Sequence, residues 1–257
     1  MTTRPPCALT IAGSDPTGGA GLQLDLQVFA HHGVHGMAVP TAITVQSTQR
    51  VHRVLPAFPS VVGEQLQALL LDMLPDVVKI GMLATDDVLL RTADLLERFP
   101  RPRVVDPVLR ASDGTWLLER RAWTNLLERI IAGAELVTPN LDEAEWLTGE
   151  RDPERAAEVL LQVGARAVLV KGGHADGPPD DFLRTSDMAK WISAGQRAPT
   201  GAHGTGCALS AAIAARLAAG ADLHTAVQAA KRFVERALRA SFEAGRGQRL
   251  LGLSTAT

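Results

Sequence analysis

Cys207 lies in the turn GAHGTGC (201–207), directly before an apolar helical run. In the first turn of a helix, unpaired N–H groups and the positive end of the dipole lower a thiol's pKa from ~8.5 toward neutrality, so a thiol at this place can accept a proton. A plainer reading stands beside it, because an isolated cysteine is most often a small buried apolar side chain. Cys7 has only that plainer reading, since nothing acidic, basic or glycine-rich accompanies it. A second glycine-rich turn, GSDPTGGAG (13–21), follows the first apolar run. Neither turn is a P-loop: Gly13 to Gly18 and Gly201 to Gly206 have the spacing, but they continue into Gly19-Ala20 and Cys207-Ala208 where Lys and Ser or Thr are needed. The dinucleotide pattern fails as well, with Leu24 and Leu209 where its third glycine belongs, which disfavours a nicotinamide dehydrogenase. What such glycines still permit is close approach of the backbone to a ligand, with N–H groups open to an anion at a helix start. Tight turns made for packing are the alternative.

Asp106, followed by Pro107, and the stretch Asn140 to Glu143 (NLDE) are oxygen donors of the kind that hold Mg²⁺ through water. Lys171, leading into Gly172 and Gly173, is a point charge suited to a phosphate. A lone carboxylate or lysine at a strand end is usually just solvated. With two anion-binding turns, the set describes a phosphoryl-transfer site without a P-loop, where catalysis is mostly positioning and charge neutralisation. His31, His32 and His35 fall at a helix end with no carboxylate or cysteine to complete a metal set, so capping of carbonyls is the better reading. His203 reads as a residue that orders the GTGC turn.

These residues need elements to position them. ALTIAGS (8–14), MAVPTAITVQ (37–46), VVKIGM (77–82), RVVDPV (103–108), LVTPN (136–140) and AVLVKGG (167–173) read as buried strands. Leu66, Leu69, Leu70, Met73 and Leu74 share one face of a helix, and Ala156, Ala157, Leu160 and Leu161 repeat the pattern after Pro153. Such alternation predicts a three-layer α/β/α domain with a mostly parallel sheet and a ligand beyond the carboxyl ends of its strands. Ser14, Asp15, Gln46, Asp106, Asn140 and Lys171 all fall at or just past such ends. HADGPPDD (174–181) reads as a loop, FLRT and KWISAG as a short antiparallel pair at a mixed edge. Two helices, about 205–219 and 222–243, follow the GTGC turn and are expected to close the far end of the sheet. With no internal repeat and no long linker, residues 1–257 read as one domain.

The balance of 26 Lys+Arg against 28 Asp+Glu argues against a nucleic-acid binder. No apolar run approaches a membrane span, the richest one, Ala208 to Ala221, containing Arg216. The first apolar run, Cys7 to Gly13, is too short for a secretory signal, and two distant cysteines give no disulfide framework, so the expected setting is a reducing cytoplasm.

GSDPTGGAGLQLDLQVF, TAITVQST, VVKIGML, VVDPV, LVTPNLDEAEWLTG, VLVKGGH and HGTGCALSAAIAA resemble, in order and spacing, the hydroxymethylpyrimidine/phosphomethylpyrimidine kinases of thiamine biosynthesis, within the ribokinase-like superfamily. The resemblance covers about residues 8–240. It implies ATP- and Mg²⁺-dependent phosphorylation of 4-amino-5-hydroxymethyl-2-methylpyrimidine and then of its monophosphate. It also implies that Gly204, Thr205, Gly206 and Cys207 form the anion hole and catalytic base, with Cys in place of the superfamily's usual Asp. Gln46 then reads the pyrimidine, its amide complementing a ring nitrogen beside an exocyclic amine. Asp25, Gly13, Met82 and Val108 match other substrate-pocket positions. Asp106, Asn140 and Glu143 match the Mg²⁺ and phosphate region, with Asp106 and Glu143 toward the metal, and Lys171 matches a phosphate contact. A homodimer acting on a small molecule is expected.

Two stretches depart from the family pattern. VLRASDG replaces the usual VMVAKSG, so Ser112 stands where a loop lysine is expected and Arg110 becomes its substitute. TGAH (200–203) replaces the usual TxNTH and lacks its Asn. The competing readings are a pyridoxal kinase, disfavoured by Gln46, and a non-catalytic sensor of a thiamine precursor. The sensor would be expected to lose Cys207, Asp106 or Lys171, and all three are present.

Overall fold

A computed structural model describes residues 4–172, 180–193 and 202–253. Strands β1 (Cys7–Ser14), β2 (His35–Gln46), β3 (Val51–Pro56), β4 (Val77–Ile80), β5 (Arg103–Val105), β6 (Leu136–Val137), β7 (Ala167–Val170), β8 (Asp181–Thr185) and β9 (Ala189–Ile192) form one sheet, ordered β3-β2-β1-β4-β5-β6-β7-β8-β9. From β2 to β7 the pairing is parallel, while β3, β8 and β9 are antiparallel. The result is a single α/β domain with a mostly parallel central sheet. The chain winds outward in one direction from β1 to β2 and β3 and in the other from β4 onward. A crevice therefore opens at the carboxyl ends of β1 and β4, the switch point where α/β folds place ligands.

Helix α1 (Gly21–His31), α7 (Thr205–Ala218) and α8 (Leu223–Arg239) cover one face, around Val28, Phe29, Ile213 and Phe233. The other face carries α2 (Pro59–Asp72), α3 (Asp86–Arg98), α4 (Trp123–Asn125, continuing as a π-helical turn over Leu126–Ile131), α5 (Leu141–Thr148) and α6 (Pro153–Val163). α7 lies over the middle of one face, where it meets β1, β4 and β5, and not at the far end expected from sequence, whereas α8 packs on α7 and reaches the β8–β9 edge through Lys231. The reason is composition: α7 buries Ala208 through Ala215, small residues that let its backbone sit close to the strands.

Several boundaries differ from the sequence reading. β5 and β6 are short because Pro107 and Pro139 interrupt the ladder, leaving Asp106, Thr138 and Asn140 on non-strand backbone above the sheet. β3 was not expected, since its exposed, polar-interrupted residues carry no core signal. α2 ends at Asp72, so Met73 and Leu74 fall outside the helix and are exposed, while Leu66 and Leu70 are buried as expected. The antiparallel edge pair is present as β8 and β9, and a buried Lys231–Asp181 ion pair of 2.7 Å ties β8 to α8. The loop expected over 174–181 lies largely outside the described residues, as do Gly173, Thr200 and Gly201.

Candidate active site

Side chains alternate along a strand, and that alternation explains the floor of the site. Thr10 of β1 pairs in register with Lys79 of β4, so both point to the face that α1 and α7 cover. Val104, Leu136 and Leu169 pack on that face, and the residues two positions further on, Asp106, Thr138 and Lys171, meet one another at its top. Lys171 Nζ donates to Asp106 Oδ1 at 2.7 Å, and Thr138 Oγ1 and Ser210 Oγ of α7 donate to Asp106 at 3.3 and 3.4 Å. Burial pushes the Asp106 carboxyl up, but the charges of Lys171 and Lys79 outweigh it and hold it below the usual carboxylate range. Asp106 is therefore an anion, and Lys171 is held cationic by Asp106 and Glu143 against the cost of burial.

Beneath them, Lys79 Nζ donates to Asp25 Oδ2 at 2.8 Å, both side chains being fully buried, and Thr10 Oγ1 donates to the same oxygen at 2.6 Å. This corrects the expectation for Asp25, which is sealed between α1 and β1 and does not line the cleft. Lys79 does line it. Its signal in the sequence was a lysine inside the apolar strand VVKI, where a buried cation demands a partner.

The cleft above this floor has a volume of about 370 Å³. Gly204, Thr205, Gly206, Cys207, Gln46, Gly13, Met82, Val108, Lys171, Asn140, Arg110, Asp106 and Glu143 all line it. α7 begins there, with Gly204 at φ +78° as a cap that offers no side-chain acceptor, so the N–H groups of the first turn face the cleft. A Cβ at Gly204 would run into the carbonyl of Gly19, so the two glycine-rich turns sit back to back. At Gly206 a Cβ would stand 3.0 Å from Lys171 Nζ, which shows how closely the α7 turn rests on the charged floor.

Cys207 is partly buried, and its thiol is pushed up to about 11. Burial is the main cause; Lys79 and an N–H of Gly21 pull the other way, while Asp106 and Asp25 push up further. The near-neutral thiolate expected from the helix dipole is thus not what this site holds. Two carboxylates and desolvation outweigh one helix end, and the resting residue is a thiol.

Asn140 and Glu143 also have a local task. Asn140 Oδ1 accepts the N–H of Glu143 and Glu143 Oε2 accepts that of Asn140, each at 2.8 Å, a capping box that starts α5. The cap does not use the Asn140 Nδ2 amino group. Burial, opposed by Lys171 and assisted by Asp106, raises Glu143 to about 7. Among the described residues no cluster of three or more His, Cys, Asp or Glu could cage a metal. Two buried carboxylates beside a lysine are a donor set that fits Mg²⁺ retained largely through water.

At the other end, Met82, Val108 and Leu117 form an apolar wall, and Met82 Sδ would lie 2.8 Å from a Cβ at Gly13. Gln46 Nε2 comes within 3.0 Å of His203 Nε2, which also meets Asp15 Oδ2 at 2.9 Å. Burial opposes ionisation of Asp15, yet hydrogen bonds from His203 and Thr17 keep its carboxyl below the usual value. His203 thus orders its turn by joining it to Asp15 and Gln46. Arg110 lies at the rim, its guanidinium 4.5 Å from the Trp146 ring centroid and 3.4 Å from Asp142.

An α/β domain with a helix N-terminus, a lysine and buried carboxylates at its switch point defines a small-molecule kinase without a P-loop. Residues 15–251 match the profile of the family described as phosphomethylpyrimidine kinase. The chain is 43% identical over 250 residues to the hydroxymethylpyrimidine/phosphomethylpyrimidine kinase of Rhizobium meliloti (94% of each chain), and 40% identical over 254 residues to that of Synechococcus elongatus (96% of this chain, 97% of that one). The crystal structure of phosphomethylpyrimidine kinase from Clostridium difficile 630 superposes with a TM-score of 0.80 at 37% identity, covering 89% of this chain and 97% of that one. Pyridoxal kinase from Staphylococcus aureus in complex with ADP superposes with a TM-score of 0.90 at 30% identity, covering 98% and 95%. The chain belongs to the phosphomethylpyrimidine kinase family and is a phosphotransferase.

Proposed function

We propose that this kinase transfers the terminal phosphoryl group of ATP to the hydroxymethyl oxygen of 4-amino-5-hydroxymethyl-2-methylpyrimidine, and then phosphorylates the monophosphate to the diphosphate. The observation that carries this reading is one cleft with Gln46 and an apolar wall at one end and the α7 N-terminus with Lys171 at the other. The ring rests against Met82 and Val108 with its aminopyrimidine edge on Gln46, which lays the hydroxymethyl group toward Cys207. N–H groups of Gly204 to Cys207 take up charge on the phosphoryl group in transfer, and Lys171 with Asn140 holds the nucleotide phosphates. The substrate oxygen forms the new bond to phosphorus, the bond to the ADP oxygen breaks, and the hydroxyl proton passes to the thiolate form of Cys207, which the resting thiol reaches by first releasing its own proton to solvent. In a loose transition state that proton is lost late, so positioning and charge neutralisation carry most of the rate. Asp106 and Glu143 would hold Mg²⁺, which supplies charge neutralisation on the phosphates when bound.

Higher structural overlap with a pyridoxal kinase makes pyridoxal the control substrate. Purified protein with ATP and Mg²⁺ should phosphorylate the pyrimidine alcohol and its monophosphate, and excess chelator should stop both reactions. Preferential turnover of pyridoxal would replace this reading by the vitamin B6 kinase, and no turnover of any of the three would favour the sensor. The free, reduced state of both cysteines suits a reducing cytoplasm. Ile43, Val45, Leu55, Phe58 and Val61 expose an apolar surface along β2, β3 and the start of α2, which supports a homodimer through that face. Light scattering reads its mass directly.

A further inference from the structure

The segment after α8 forms no strand of the sheet, yet it touches four of the stretches around the cleft. Gly247 N–H donates to Thr48 Oγ1 at 3.1 Å and Gln248 N–H donates to the Thr48 carbonyl at 2.8 Å, in the loop that follows Gln46. His203 N–H donates to the Arg249 carbonyl at 2.9 Å, in the turn that leads into α7. Leu250 Cδ2 would lie 2.7 Å from a Cβ at Gly19, so it packs on the β1–α1 turn. The Gln248 side chain reaches the 110–116 loop, its Nε2 donating to Ser112 Oγ at 3.0 Å and Ser112 Oγ standing 3.3 Å from Gln248 Oε1. Paired bonds between Phe242 and Leu250 fold the segment into a closed loop, and the Arg249 guanidinium pins it to Glu243 and to Ser241. Gly247 is required by close approach, since a Cβ there would run into the Thr48 carbonyl.

We propose that residues 245–250 form part of the substrate site, with Gln248 the positioning residue that holds the 110–116 loop against the Gln46 loop over the aromatic end of the cleft. Gln248 itself lines the cleft together with Gln46, Ser112 and His203. The usual loop lysine is replaced by Ser112 in this chain, and Ser112 is the group Gln248 grips. The departure from the family pattern and the segment's contact therefore meet at one hydrogen bond. When the 110–116 loop is held this way, Val108 and Leu117 at its two ends keep the apolar wall closed on the ring. Gln248 sits beside Gln46 and Thr48 at the acceptor end of the cleft, so the larger effect is expected on acceptor binding, although the 110–116 loop also carries Arg110 toward the nucleotide.

The proposal rests on the pyrimidine-kinase reading only for the choice of substrate, so the test has an arm that needs no activity. In Gln248→Ala, hydrogen exchange of amides in 110–116 should quicken by about tenfold in the free protein, with exchange in β1 and β4 unchanged. The KM for the pyrimidine alcohol should rise about three- to tenfold while the KM for ATP stays within about twofold. Ser112→Ala should reproduce both changes and add little to Gln248→Ala in the double variant, as groups in one bond do. Gly247→Ala, which removes no cleft side chain, should shift the same KM in the same direction. Unchanged exchange would overturn the hold on the loop. Faster exchange with an unchanged acceptor KM would reduce the segment to a structural tie and overturn its place in the site. If the parent enzyme phosphorylates no pyrimidine, the functional reading fails separately and the exchange result alone decides the coupling.

Discussion

The floor and the rim of the cleft are held by opposite means. Below, Asp106–Lys171 and Asp25–Lys79 are ion pairs of 2.7 and 2.8 Å whose side chains are between 0 and 13% exposed, held by β4, by α1 and by the chain just past β5 and β7. Above, Arg110–Asp142 is a 3.4 Å pair with side chains 37 and 58% exposed, and Ser112 meets Gln248 in an exposed hydrogen bond of 3.0 Å. Interactions in the dry floor are unscreened and costly to break singly, whereas those at the rim are weak individually and screened by salt. The lesson is a division of labour. Under the proposed function, phosphoryl chemistry would rest on the buried charged floor, and selection of the aromatic ring on loops that substitution can alter without disturbing the sheet. That division suits a fold that superposes on both a phosphomethylpyrimidine kinase and a pyridoxal kinase.

The comparison can be broken most sharply at Cys207, where floor and substrate meet. Cys207→Ala should lower kcat by about 10²- to 10⁴-fold with substrate KM little changed, the usual worth of a general base. A variant within about threefold of the parent would show that positioning and charge suffice, and Cys207→Asp should retain more activity than Ala. Since the thiol is pushed up to about 11, alkylation by iodoacetamide should climb roughly tenfold per pH unit from pH 7 to 10. A rate already level near pH 8 would instead restore the thiolate expected from the helix end.

Lys79→Met tests the floor alone. Leaving the buried Asp25 carboxylate without its cation should cost about 3–5 kcal/mol in urea unfolding, and Asp25→Leu in the same chain should recover part of it. A loss below about 1 kcal/mol would mean that the pair does not support the floor.

At the rim the effects shrink. Gln46→Ala should cost about 1–3 kcal/mol in kcat/KM for the pyrimidine alcohol, by leaving a ring nitrogen and an amine unpaired. Equal turnover by variant and parent would remove Gln46 from recognition. Arg110→Ala should have the smallest effect, roughly a two- to fivefold rise in the KM for ATP, as a partly exposed cation on a mobile-rim loop. Unchanged kinetics would make it ordinary surface charge stacked on Trp146.

The alternation of strand and helix, and the polar residues at successive strand ends, were legible because period-two and period-3.6 patterns are local. Thirteen of the fourteen candidate site residues line one cleft, although Gly13, Met82 and Val108 among them were named from the family resemblance and not from a local pattern. Asp25 was misplaced because its helix position says nothing about what lies across the layer, and the partner that seals it, Lys79, is 54 residues away. β3 escaped notice because an edge strand with exposed residues has no burial pattern to show.

By itself the sequence determined the layered architecture and the residue types at the carboxyl ends of the strands, since these follow from hydrophobic periodicity and from turns that favour glycine and proline; the family showed in its motifs as a resemblance. Tertiary structure alone decided the rest. Whether Cys207 is thiol or thiolate depends on carboxylates brought to it by β5 and α1, because desolvation and Coulomb interaction act through space and ignore chain order. Likewise, nothing local marks residues 245–250 as part of the cleft, since their bonds to Thr48, Ser112 and His203 exist only once the sheet has brought those loops together.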